Sequence, residues 1–89
     1  MLFMVIERFK DTMAVGDRFG RQGRLLPPDV SYHASWIDPQ GQRCFQLMEA
    51  PSAEALEPWA RAWIDLMELE IVPVVTSAEF WRGQPSPPA

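Results

Sequence analysis

Apolar positions change period along the chain, and each change marks an element. Residues 2–9 (LFMVIERF) are a short apolar run rich in β-formers and bounded by Lys10-Asp11-Thr12, which predicts a strand. Both of its faces are apolar through Ile6, as for a strand in the middle of a sheet covered on both sides. Residues 12–24 predict a helix behind a cap from the Asp11-Thr12 pair. Met13, Val15 and Phe19 share one broad face of it, and Arg18, Arg21 and Arg24 step round the other. Gly16 and Gly20 weaken this helix by about 1 kcal/mol each relative to alanine, and Gly23 followed by Pro27-Pro28 ends it.

Residues 30–38 (VSYHASWID) alternate, with Val30, Tyr32, Ala34 and Trp36 on one side and Ser31, His33, Ser35 and Ile37 on the other. Asp38-Pro39-Gln40-Gly41 is a turn, and residues 42–50 (QRCFQLMEA) return as the partner strand. With Gly41 as the bulge of a three-residue loop, Asp38 pairs with Gln42, Trp36 with Cys44, Ala34 with Gln46 and Tyr32 with Met48. The clearest helical pattern spans residues 53–68, where Leu56, Trp59, Ala60, Trp63, Ile64 and Met67 form one amphipathic stripe. Pro58 inside it requires either an irregular first turn or a helix that starts there. Residues 69–75 (LEIVPVV) predict a last strand, at an edge because Pro73 has no N–H to donate. Thr76 or Ser77 can cap one short helical turn after it, and residues 83–89, with three prolines and no charge, read as a loose tail.

The order β-α-β-β-α-β predicts one α+β domain over residues 1–82, of the ferredoxin-like kind: a four-stranded antiparallel sheet, order 4-1-3-2, with both helices on one face. On the register above, the opposite face carries Tyr32, Trp36, Cys44, Gln46 and Met48. They are joined by either Leu2, Met4 and Ile6 or Phe3, Val5 and Glu7. So large an apolar face is not left in water. Packing it against its copy in a second chain gives a two-fold homodimer, a dimeric α/β barrel.

Composition strengthens the expectation of association. A chain of 89 residues buries only roughly 60% of its unfolded surface, and its one cysteine excludes an internal disulfide framework and a cysteine-rich zinc site. The net charge of −4 argues against a nucleic-acid partner, which needs a basic stripe. The opening apolar run is too short for a signal peptide or for a membrane span of about 20 residues, so a cytoplasmic protein with no membrane partner is expected. Residues 45–89 hold seven acidic groups against two basic, while residues 1–44 are nearly balanced, an asymmetry that paired protomers can use.

Four side chains stand out as a ligand-binding set. Tyr32, Trp36, Gln46 and Met48 describe an apolar aromatic pocket with one polar handle, the usual make-up of a small-molecule site; the same side chains serve equally well to fill a dimer core. Glu7, at the end of a central strand, becomes a general base if its surroundings desolvate it; otherwise it is a strand-end carboxylate, solvated or paired with Arg8 or Arg43. His33, the only histidine, is a second acid–base candidate, against a partly exposed structural role on the helix side of an edge strand. Cys44 reads as buried and inert. Arg18, Arg21 and Arg24 either meet an anionic ligand or form a solvated helix face. With no phosphate loop, nucleophile elbow or metal motif, no cofactor and no metal are expected.

The segments MLFMVIERF, GRLLPPDVSYHASW, RCFQLMEAP and LEIVPVVTSAEFW resemble a small bacterial domain-of-unknown-function family grouped with the dimeric α/β-barrel, ferredoxin-like proteins. The resemblance covers about residues 1–82. It implies the fold and the dimer and brings no catalytic residue with it. More distant members of that superfamily include cofactor-free monooxygenases acting on quinol-like compounds, haem-degrading enzymes and small isomerases, but fold alone does not transfer an activity. Three functions are therefore expected in turn. The first is a homodimer that binds an apolar or aromatic small molecule in a sheet-face cavity. The second is a cofactor-free monooxygenase- or isomerase-like enzyme using Glu7 or His33. The third is a structural or regulatory protein-interaction module.

Overall fold

In the computed structural model, which describes residues 1–84, the Asp11 carboxylate accepts a hydrogen bond from the Ala14 N–H and starts the first helix, α1 (Thr12–Gln22). It follows the strand β1 (Leu2–Phe9). Gly23, at φ +71°, ends α1, a backbone conformation that glycine adopts without steric cost. The hairpin strands β2 (Ser31–Ile37) and β3 (Arg43–Glu49) come next. They are joined by a turn in which Asp38 accepts from the N–H groups of Gln42 and Arg43.

Pro58 is accommodated at the start of a helix, as one of the two expectations had it. A 3-10 turn (Glu54–Leu56) leads into α2 (Glu57–Trp63), which places the proline in the first turn, where its missing N–H costs nothing. The helix is shorter than its apolar stripe implies. It stops at Trp63, leaving Ile64 exposed, and Met67 becomes the first residue of β4 (Met67–Val74), paired with Phe9. Sheet pairing wins over another helical turn because Lys10 N–H already donates to the Leu66 carbonyl, drawing the chain back to β1. A third helix, α3 (Ser77–Arg82), is capped by Thr76. Of the tail expected over residues 83–89, residues 85–89 lie outside the described residues.

The sheet is antiparallel with order β2-β3-β1-β4, the ferredoxin-like arrangement expected from the element order. Pro73 lies on the edge strand β4, as its missing donor requires. The core sits between the sheet and α2, where Phe3, Val5 and Met48 from the sheet meet Leu56, Trp59 and Trp63. Burying each such side chain contributes roughly 1.5–3 kcal/mol.

The expected assignment of faces is overturned. β1 and β3 pair as Phe3–Met48, Val5–Gln46 and Glu7–Cys44, and all six side chains are buried on the side of the helices. The opposite face carries Leu2, Met4, Ile6, Phe45 and Leu47, with Val72 and Val74 beside them on β4. Cys44, Gln46 and Met48 thus lie beneath the helices and not on the open face. Alternation could not decide this, because β1 and β3 are apolar on both faces. The polar members of the buried face tolerate burial because Glu7 and Gln46 hydrogen-bond one another.

The hairpin register departs from the expected one at a single residue. Tyr32 pairs with Met48 as expected, but a bulge at His33 then shifts every later pair: Ala34 opposes Leu47, Ser35 opposes Gln46, Trp36 opposes Phe45 and Ile37 opposes Cys44. The four-residue loop 39–42 closes on an Asp38–Arg43 backbone bond, absorbing the extra residue. The bulge sends Tyr32 and Trp36 to opposite faces of the sheet, since one inserted residue flips the side chains that follow it.

Candidate functional site

A cavity of about 280 Å³ lies between α1 and the helix side of the sheet. Its floor is Glu7 and Phe9 of β1, Cys44 and Gln46 of β3, and Ser35 and Ile37 of β2. Trp59, Trp63 and Met67 close one end. Thr12, Val15, Gly16 and Phe19 of α1, with Arg24 just beyond it, form the roof. The space exists because α1 stands off from the sheet and contributes no buried residue. A side-chain carbon built at Gly16 would meet nothing within 4 Å.

Polar fastenings hold the roof in place. Arg18 donates to both carboxylate oxygens of Asp65 (2.8 and 2.7 Å) and to the Ala62 carbonyl (2.7 Å), with its guanidinium 5.5 Å from the centre of the Trp63 ring. Thr12 Oγ1 donates to the Gly41 carbonyl (2.8 Å) at the start of α1. Trp63 Nε1 donates to the Arg24 carbonyl (3.0 Å) beyond its end. Leu25 then takes a left-handed turn, φ +61°. The Arg24 guanidinium lies over the Tyr32 ring at 3.6 Å and near Phe19 at 5.0 Å. The arginines expected on a solvated face are therefore divided. Arg18 and Arg24 turn inward, and Arg21 remains outside, paired with Asp17.

Glu7 is the chemical centre of the cavity. It is 4% exposed, and Gln46 Nε2 donates to its Oε2 at 2.5 Å. Burial is the largest influence and pushes its pKa up to about 7. The Gln46 and Cys44 hydrogen bonds and the Arg24 charge pull the other way without offsetting it. The neighbouring Cys44 thiol is pushed up to about 12, chiefly by burial and then by the Glu7 charge, which makes it a poor nucleophile. Two buried polar atoms at the site have no partner, Gln46 Oε1 and Arg24 Nε. Together these groups give an aromatic chamber with one carboxyl able to exchange a proton near neutral pH.

Of the four side chains expected to bind a ligand, Gln46 lines the cavity. Met48 is wholly buried in the core, Tyr32 lies beneath Arg24, and Trp36 is 57% exposed on the opposite face of the sheet. The expected grouping fails because it rested on an unbroken β2 register. Of the acid–base candidates, Glu7 is in the cavity and His33 is not. His33 donates from Nε2 to Glu49 (3.0 Å) and borders a separate groove with Leu2 and Val74, so it sits toward the open face and not on the helix side. Sequence reasoning missed Phe19 and Gly16, and offered Arg24 only for an anionic ligand or a solvated helix face. The usable signal was polar: Glu7, Cys44 and Gln46 all fall within central strands.

Among the described residues no three or more His, Cys, Asp or Glu side chains gather in a way that could hold a metal ion. No helix of the described residues is long and apolar enough to cross a membrane. Neither the curated proteins nor the solved structures contain a match to this chain. A family model does match it, over residues 1–83, and the chain belongs to that family, described as Domain of unknown function (DUF3303).

Proposed function

We propose that the protein is a homodimer that binds a small apolar or aromatic molecule in the cavity beneath α1. The observation that carries this reading is the chamber itself, with aromatic walls around a single buried carboxyl. Binding sites of this sort are mostly apolar, with a few polar groups that fix orientation. A cavity of roughly 150 Å³ takes one benzene ring, so about 280 Å³ suits a guest of two fused rings. The test is a ¹H–¹⁵N spectrum of the tryptophan indoles during titration with one- and two-ring aromatics. The Trp59 and Trp63 signals should move while Trp36 and Trp81 stay. Movement of Trp36 alone, or no movement at millimolar probe, refutes the reading.

The homodimer rests on the other face. Leu2, Met4, Ile6, Phe45, Leu47, Val72 and Val74 are each only partly covered, and Trp36 stands 57% exposed beside them. A contiguous patch of this kind marks an interface. Light scattering should give about twice the 10.2 kDa chain mass, and Phe45→Glu should return it to a single chain. A single-chain mass for the unaltered protein at micromolar concentration overturns the dimer.

Acid–base catalysis is a second reading, favoured by Glu7 being held about half ionised near neutral pH. Its carboxylate would take a proton from a carbon beside a guest carbonyl. The C–H electron pair then forms the enolate double bond, and the carbonyl pair moves onto oxygen. Return of the proton from Glu7 to a different carbon gives an isomer, with nothing consumed. His33, outside the cavity, has no part in this step. Deuterium should enter a bound cyclic ketone in heavy water with the unaltered protein and not with Glu7→Gln; equal exchange with both refutes it.

A further inference from the structure

We infer that the two copies stack their open sheet faces about a two-fold axis that crosses the strands, so that Glu49 of each meets the partner's Arg43. This rests on the homodimer reading and adds how the two faces are set against each other. Strand register and alternation order the open face into rows across the sheet. Glu49 and Leu2 lie in the row at one end. Arg43 and Arg8 lie opposite each other at the other end, with Glu68 beyond Arg8. Between them run two mostly apolar rows, Ala34 beside Leu47 and Met4, then Trp36 beside Phe45 and Ile6. Side-chain positions agree with this order: the Arg43 guanidinium lies 5.5 Å from the centre of the Phe45 ring, and Glu49 borders a groove with Leu2 and Val74.

Sheets stacked face to face are related by an axis lying between them, and aligned packing leaves two choices. An axis along the strands sets each row on its own copy with the strand order reversed. Arg43 then meets the partner's Arg8, and Trp36 meets the partner's Glu70. An axis across the strands sets each strand on its own copy and reverses the rows. Glu49 then meets the partner's Arg43, and symmetry makes that pair twice. Trp36, which is 57% exposed, meets the partner's Ala34, a large side chain over a small one. Phe45 meets the partner's Leu47, and Ile6 the partner's Met4. Arg8 and Glu70 fall near the rim, where long side chains reach water. Like charges brought together across an interface are costly, so the axis across the strands is the one this face selects. Glu49 and Arg43 each have one partner at home, His33 at 3.0 Å and Asp38 at 3.9 Å. Their side chains stay 54% and 49% exposed, which leaves room for a second partner.

The experiment is sedimentation velocity over a dilution series of the full chain, which gives a dimer dissociation constant for each protein. Arg43→Glu and Glu49→Arg should each weaken the dimer about tenfold, because the two-fold makes each change count twice. Combining them should bring the affinity back to within about threefold of the unaltered protein. Arg43→Glu combined with Glu57→Arg, on the exposed side of α2, carries the same net charge and should not bring it back. If either reversal does not fold, Arg43→Gln and Glu49→Gln take their place. Each should weaken the dimer, and the two together no more than one alone. A dimer that the single changes leave as tight as before, or that the combined reversal does not restore, overturns the inference and leaves the homodimer standing. Equal restoration by the Glu57 control overturns it as well, because net charge then decides. A single-chain mass for the unaltered protein at micromolar concentration overturns the inference and the homodimer together.

Discussion

Replacing Glu7 by glutamine should stabilise the protein at alkaline pH and change little at acid pH. In the folded chain the carboxyl is raised from 4.5 to about 7, mainly because burial disfavours its charged form. A carboxyl raised on folding contributes its stability below the unfolded value of 4.5, and that stability is withdrawn as pH climbs through 7. With each pKa unit worth about 1.4 kcal/mol, the full penalty is roughly 3 kcal/mol, of which about 2.5 kcal/mol appears between pH 5 and pH 8. That is a large part of the ~5–15 kcal/mol that holds ordinary domains together. Glutamine carries no such penalty. Its carbonyl can accept the Gln46 N–H that Glu7 accepts now, and its own N–H₂ can serve the unpartnered Gln46 Oε1. The assay is urea unfolding of both proteins at pH 5 and pH 8, at one fixed protein concentration because an associating chain is stabilised by mass action. The two should lie close together at pH 5 and separate at pH 8, with the glutamine variant the more stable. Parallel curves, the variant losing as much stability as the parent, would show that Glu7 is not titrating in a desolvated site.

Gly16 roofs the cavity with empty space where a side chain would stand. Gly16→Ala should raise stability by about 0.5–1 kcal/mol through helix propensity, and Gly16→Leu should fill the chamber and abolish binding of two-ring probes. Loss of stability in the alanine variant contradicts the placement. Arg18→Ala removes the fastening to Asp65 and Ala62, so the α1 amides should exchange with solvent faster while those of β1 and β3 do not change. Unchanged α1 protection would mean that the helix is held by something else. Cys44, buried with its pKa near 12, should resist iodoacetamide at pH 8 in the folded protein and react fully in denaturant. Rapid labelling of the folded chain refutes that.

Most of the architecture was legible because it follows from local signals. The Asp11 cap, the Asp38 turn, the edge position demanded by Pro73 and the short helix behind Thr76 each name their element, and the element order then leaves few topologies. The site was less legible for two physical reasons. Strands apolar on both faces do not announce which face the helices cover, so Gln46 and Met48 were assigned to the wrong side. A bulge at His33 has no reliable signature in alternation, and it separated Trp36 from Tyr32. Glu7 was found because a carboxylate within a central strand needs a reason to be there. Gly16 was read only as a weak point in a helix, since what its missing side chain leaves open depends on packing that local sequence does not encode.

The most direct measurement is the set of nuclear Overhauser contacts made by a bound two-ring aromatic probe. Its ring protons should report Val15, Phe19 and Trp59, the roof and end wall of the chamber over Glu7. Contacts to Phe45, Leu47 and Trp36 instead would place the guest on the open sheet face and contradict the account.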